Sequence, residues 1–149
     1  MKKVLFVLLA IMLAMPMMAQ RVPSPKKSSI SAGFMQGGGG LVGVDFEHML
    51  GNHFSAQVGA GFVSFGAAIN YHFKPFINSS MVSLGYYHQG VGNSYAASWL
   101  GPVYTFRAPK IFQFQIGFGF KVGEGPAASA DLMKTSMTLL YSIGVYFPI

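Results

Sequence analysis

Phe112-Gln113-Phe114-Gln115-Ile116-Gly117-Phe118-Gly119-Phe120-Lys121-Val122 divides at every second residue. One set is Phe112, Phe114, Ile116, Phe118, Phe120 and Val122, and the other is Gln113, Gln115, Gly117, Gly119 and Lys121. Successive side chains of a strand point to opposite faces, whereas a helix would mix the two sets. The stretch therefore predicts a strand with one bulky apolar face and one face of glycine and polar groups.

The same division recurs outward from it. Met137, Leu139, Tyr141, Ile143, Val145, Phe147 and Ile149 oppose Thr138, Leu140, Ser142, Gly144 and Tyr146. Toward the N-terminus, Phe54, Ala56, Val58, Ala60 and Phe62 oppose Ser55, Gln57, Gly59 and Gly61, and Ala67, Ile69, Tyr71 and Phe73 oppose Ala68, Asn70, His72 and Lys74. Val42, Val44 and Phe46 oppose Gly43, Asp45 and Glu47. Three less regular segments, Ile30 to Met35, Met81 to Tyr87 and Ala97 to Phe106, are strand-like but carry Gly33, Gly85, Gly101 and Pro102. The total of eight strands is even and returns both ends of the chain to one side of a sheet that closes on itself.

Composition decides which way the apolar faces are expected to point. Only 9% of the chain is charged, 15% is aromatic and glycines number 19, whereas about a quarter of an ordinary soluble domain is charged. A sandwich burying the apolar faces would show water a surface of glycine, serine and glutamine. An eight-stranded barrel has an interior just wide enough for side chains to fill, which suits Gly59, Gly61, Gly117, Gly119 and Gly144. No apolar run long enough for a spanning helix follows Ala19. The expected fold is all-β: an eight-stranded antiparallel transmembrane barrel, closed because hydrocarbon tolerates no open sheet edge.

Residues 1–19 read as a cleaved signal peptide, with Lys2 and Lys3 ahead of the apolar Val4 to Met15 and a small-residue site at Met17-Met18-Ala19. The expected organisation is 1–19 signal peptide, 20–27 an N-terminal periplasmic segment and 28–149 an outer-membrane barrel with both termini periplasmic. Turns are expected on the periplasmic side at Leu50-Gly51-Asn52, Lys74 to Ser79 and Arg107 to Lys110. The outer connections are then Gln36 to Gly40, Ser64 to Gly66, His88 to Tyr95 and, longest, Gly123 to Lys134. The last, rich in alanine, serine and glycine, reads as a flexible connector.

These features together resemble the small eight-stranded bacterial outer-membrane barrels that include the OmpA membrane domain and OmpX. The last strand carries the most specific likeness. Ser142-Ile143-Gly144-Val145-Tyr146-Phe147-Pro148-Ile149 resembles the signal read by the barrel-assembly machinery, with Ser142, Gly144, Phe147 and Ile149 in the matching positions. It departs from that pattern in Pro148 and in ending on Ile149 rather than on an aromatic residue. The resemblance implies an integral location in a Gram-negative cell's outer membrane. Its implied partners are outer-membrane lipid, including lipopolysaccharide, and the assembly machinery during biogenesis.

Residues that could carry chemistry are few. Asp45 and Glu47 share an inward parity, and in a narrow lumen buried charges must be paired or hydrogen-bonded. Lys74, Arg107 and Lys121 share that parity as counter-charges, and Gln57, Asn70, His72, Gln113 and Gln115 extend a structural polar network. The histidines His48, His53, His72 and His88 lack metal-ligand spacing. Cysteine is absent, no cofactor is expected, and the scattered basic residues of the net +6 charge argue against nucleic acid. Gly37 to Gly40 is followed neither by a lysine and a serine or threonine nor by a helix start and reads as a hairpin tip. Tyr71, Phe73, Tyr86, Tyr104, Phe106, Tyr141 and Phe147 read as interfacial girdles.

The expected role is structural or interactive, without catalysis. One alternative is a lipid A-modifying enzyme using His88, Ser94 and Glu124 near the outer rim, although the deacylase His-x-Ser pattern is missing because Gln89-Gly90 follows His88. The other is a soluble exported β-sandwich or barrel.

Overall fold

A computed structural model describes residues 24–129 and 134–149. Eight strands follow one another: β1 (Ser28–Phe34), β2 (Val42–Met49), β3 (Phe54–Gly61), β4 (Ser64–His72), β5 (Met81–Gln89), β6 (Ala97–Arg107), β7 (Phe112–Glu124) and β8 (Met137–Pro148). Each pairs antiparallel with the next, and β8 returns to β1, so the sheet is a closed barrel. Residues 1–19, read as a signal peptide, lie outside the described residues.

Period-two patterning sorts the side chains as a closed sheet requires. In β2, Val42, Val44, Phe46 and His48 face the exterior and alternate with buried Gly43, Asp45, Glu47 and Met49. Phe118 of β7 and Ile143 of β8 are about half exposed on the same exterior, whereas Gln113 and Ser142 are buried. One irregularity occurs: a bulge in the β6–β7 register between Ser98 and Trp99.

The lumen is filled by different means at its two ends. The rim where β1 begins and β8 ends, here the terminal rim, carries the connections 50–53, 73–80 and 108–111. Residues 73–80 fold beneath the barrel and close it there: Ile77 is fully buried, its carbonyl accepts from Arg107 Nη1, and Ser80 Oγ accepts from Arg107 N at 3.2 Å. Toward the far rim, one half of the lumen holds Tyr87, Ala97, Trp99, Val103 and Leu140. The other half holds a loop.

That loop is the β1–β2 connection, residues 35–41, and it corrects the reading of Gly37 to Gly40 as a hairpin tip. Gln36, Gly37, Gly38 and Gly40 are buried. Left-handed backbone at Met35 (φ 59°), Gly37 (64°), Gly38 (87°) and Gly39 (86°) folds the chain back into the barrel. Inward-facing glycines on β2, β3 and β4 give it room. A Cβ at Gly43 would overlap the Gln36 carbonyl oxygen, and a Cβ at Gly59 or Gly66 would come within 3.0 Å of the Cα of Gly37 or Gly38. Gly37 N donates to Asp45 Oδ1 at 3.2 Å, and Ser64 Oγ donates to the Gly37 carbonyl at 2.7 Å.

Two boundaries also differ from expectation. The β3–β4 turn is Phe62-Val63, with Val63 at φ 57°, instead of Ser64 to Gly66; Gly66 belongs to the strand because Gly38 packs on it. At the next connection, His88 and Gln89 remain in the ladder opposite Ser98 and Ala97, so the loop begins after them.

Candidate functional site

Two polar clusters stand out, one inside the barrel and one on its exterior. The inner one centres on Glu47, which sits near the terminal rim between Ser29 of β1 and Gln57 of β3. Five donors converge on its carboxylate: Oε1 accepts from Ser55 Oγ at 2.5 Å, Asn70 Nδ2 at 2.9 Å and His72 Nε2 at 2.8 Å, and Oε2 accepts from Arg107 Nη2 at 2.6 Å and Ser29 Oγ at 3.2 Å. The His72 contact assigns its proton to Nε2. Glu47 and Arg107 are 2% and 1% exposed, so the pair lies in a medium where an unmatched charge would be costly. Arg107 is held further by Gln113 Oε1 at 3.3 Å and by the Tyr146 ring, 4.8 Å from its carbon.

Geometry of this kind fixes structure and leaves Glu47 no vacant lone pair for a substrate. It gathers Glu47, Asn70, His72, Arg107 and Gln113. Gln57 touches its edge, accepting from Asn70 Nδ2 at 3.3 Å. Asp45 lies deeper along β2 and meets the inserted loop. Gln115 lines a separate lumen cavity of about 250 Å³ with Tyr87, Gln89, Val103 and Leu140. Two expected members are elsewhere: Lys74 follows β4 in the 73–80 turn, and Lys121 pairs with Glu124 Oε2 at 2.6 Å toward the far rim. Ser29 and Ser55 were not anticipated, although Ser55 shares the inward parity of Gln57.

In the last strand, Ser142 is buried inward, and Phe147 and Ile149 are about half exposed. Gly144 has a steric reason of its own. It pairs with Gly33 across the β1–β8 seam, where a Cβ would overlap the Ala32 carbonyl oxygen.

The exterior cluster lies near the far rim. His88 Nδ1 is 2.8 Å from Ser98 Oγ, which accepts from Tyr86 OH at 2.9 Å and is also 2.9 Å from Tyr95 OH. The His88 ring is stacked between Phe65 and Tyr95, with centroids at 4.4 and 4.3 Å. His88 thus has a serine partner, but it is Ser98; Ser94 lies in the 3-10 turn Gly92–Ser94, and Glu124 is occupied by Lys121. Ser98 is 2% exposed and has one proton for its several partners. The arrangement fastens residues 90–96 to the barrel wall. Ser98→Ala is accordingly expected to cost about 0.5–1.5 kcal/mol, read as a lower urea midpoint, with faster amide exchange confined to residues 90–96.

Among the described residues no three His, Asp or Glu side chains are grouped to hold a metal ion. No protein-family model, curated protein or solved structure matches the chain.

Proposed function

We propose that the protein is an integral outer-membrane β-barrel of a Gram-negative cell, with a structural or interaction role and no catalysis of its own. The observation that carries this reading is the inversion of the fold: most buried side chains are polar, and most of the large apolar side chains are on the exterior. Phe34, Val42, Val58, Ile69, Leu84, Phe120, Val122, Leu139 and Ile143 are all at least half exposed or close to it and come from strands around the barrel. Soluble monomers rarely show contiguous apolar patches beyond a few hundred Å². In hydrocarbon the same belt is the favoured surface, and closure leaves no strand edge unpaired.

With the chain termini on the periplasmic side, the inserted loop and the Ser98 cluster face outward. The connection between β7 and β8, the longest between consecutive strands, then lies on the outer side. The likeness of the last strand to an assembly signal supports delivery by the barrel-assembly machinery, and residues 1–19 support export. A lipid-modifying reading is disfavoured by the burial of Ser98 and by the Lys121–Glu124 pair.

Fractionation of the expressed protein, followed by electrophoresis with and without boiling, tests the proposal. Recovery in the outer membrane with a heat-dependent change in mobility is the expected result; recovery in the soluble periplasmic fraction would overturn it. Val58→Arg gives a quantitative version. Val58 is 57% exposed at the middle of β3, so arginine there costs about 2–4 kcal/mol in a bilayer and nearly nothing if the face is wet. Unfolding in urea from phosphatidylcholine vesicles distinguishes the two.

A further inference from the structure

We propose that the terminal rim is a binding surface for the phosphate headgroups of anionic phospholipid, an inference that rests on the membrane reading above. The strand order brings four lysines from separate segments to this rim. Lys26 and Lys27 precede β1, Lys74 follows β4 and Lys110 lies between β6 and β7. Among the described residues the only side-chain carboxylate near this rim is Glu47, and Arg107 already matches its charge inside the lumen. The far rim differs: its described charges are Lys134 and the Lys121–Glu124 pair. Among the described side chains the positive excess therefore lies at the terminal rim.

Two further features direct the choice of ligand. Leu50, Phe54, Ile111 and Phe112, at the same edge, are between 43% and 66% exposed, so the lysines stand where the apolar exterior ends. At this rim a cleft of about 310 Å³ is lined by Lys26, Lys27, Leu50, Asn52, Pro75 and Phe76, with Lys74 adjoining Pro75 in sequence and Lys110 outside it. Lys26 Nζ also donates to the Pro148 carbonyl at 3.1 Å, which holds that side chain against the β1–β8 seam. A cleft lined by two lysines, Leu50 and Phe76 at the edge of an apolar exterior matches a phosphate joined to acyl chains. Free phosphate would use only the lysines, and an acidic peptide would leave the apolar edge uncovered.

Native mass spectrometry of the full protein, from detergent micelles containing equal phosphatidylglycerol and phosphatidylcholine, reads the preference directly. Wild type is expected to retain phosphatidylglycerol selectively. Each lysine removed weakens retention about five-fold, so Lys27→Gln/Lys110→Gln loses most of the selectivity while Lys26 stays on the seam. Lys134→Gln, at the far rim, leaves it unchanged. Equal retention of the two lipids by a protein that still shows the heat-dependent mobility shift would overturn this inference and leave the barrel reading intact. Loss of selectivity in Lys134→Gln equal to that in the rim variant would also overturn it, as would displacement of phosphatidylglycerol by inorganic phosphate alone. Absence of the mobility shift in wild type would instead sink the membrane reading, and this inference with it.

Discussion

Glu47→Ala is expected to lower the unfolding free energy by about 3–5 kcal/mol, the largest loss of any single change considered for the lumen. The size follows from what remains. Arg107 stays 1% exposed with its guanidinium between Gln113, the Ile77 carbonyl and the Tyr146 ring, none of which carries a full negative charge. Asn70 Nδ2, Ser29 Oγ and Ser55 Oγ also lose an ionised acceptor, and hydrogen bonds to charged groups are stronger than neutral ones. Removing both charges is a different experiment. Glu47→Leu/Arg107→Met is expected to recover most of the loss, because apolar replacement of a complete buried pair is often neutral or stabilising. Urea titration of the wild type, the single variant and the double variant measures this coupling. A double variant no more stable than Glu47→Ala would mean that the cluster stabilises through its neutral hydrogen bonds.

Gly43→Val is expected to drive residues 35–41 out of the lumen while the barrel survives. A Cβ at Gly43 would overlap the carbonyl oxygen of Gln36 and come within 2.8 Å of Gly37 N. Those are backbone atoms and cannot turn aside as a side chain would. Overpacking of this kind costs about 1–3 kcal/mol, and the loop can escape it by swinging out, whereas the strand is held by ladders on both sides. The variant's loop is expected to become cleavable by protease, with the closed terminal rim and the heat-dependent mobility shift unchanged. Gly51→Ala is the matched control, since nothing lies within 4 Å of the added carbon. A Gly43→Val loop as resistant as that of wild type would show that the strand, not the loop, gives way.

What the sequence revealed and what it hid divide along a geometrical line. Alternation reports which face a residue occupies; five strands with both faces followed from it, and β1, β5 and β6 were legible only as strand-like segments. It does not report height along the barrel. Lys121 shares the inward parity of Gln113, the partner of Arg107, but stands eight residues farther along β7, roughly 25 Å away at the rise of a strand. It therefore meets Glu124 instead of Glu47. Lys74 fails for a related reason: β4 ends at His72, so parity counted beyond that residue no longer applies.

The inserted loop was hidden because a run of glycines has the same composition at an exposed tip and in a tightly packed core. A signal was nonetheless present. Gly43, Gly59, Gly61 and Gly66 all fall on inward positions of three adjacent strands, and a lumen lined so sparsely needs another filler. The β3–β4 turn was misplaced by the same effect, since Gly66 suggests a turn while Phe62-Val63 suggests a strand. His88 and Ser98 were distant in sequence, and only the β5–β6 register sets them opposite each other.

Seven of the eight strand pairings join neighbours along the chain, and one, β1 with β8, joins its two ends. A hairpin needs only its own two strands and forms within microseconds as an isolated pair. The seam needs all eight. Residues 29–34 have no partner on one side until residues 143–148 are in place, so β1 is an unpaired template until the sheet closes. The interval between pairing of the first hairpin and closure of the seam is the period in which the chain is most vulnerable to pairing with another copy of itself.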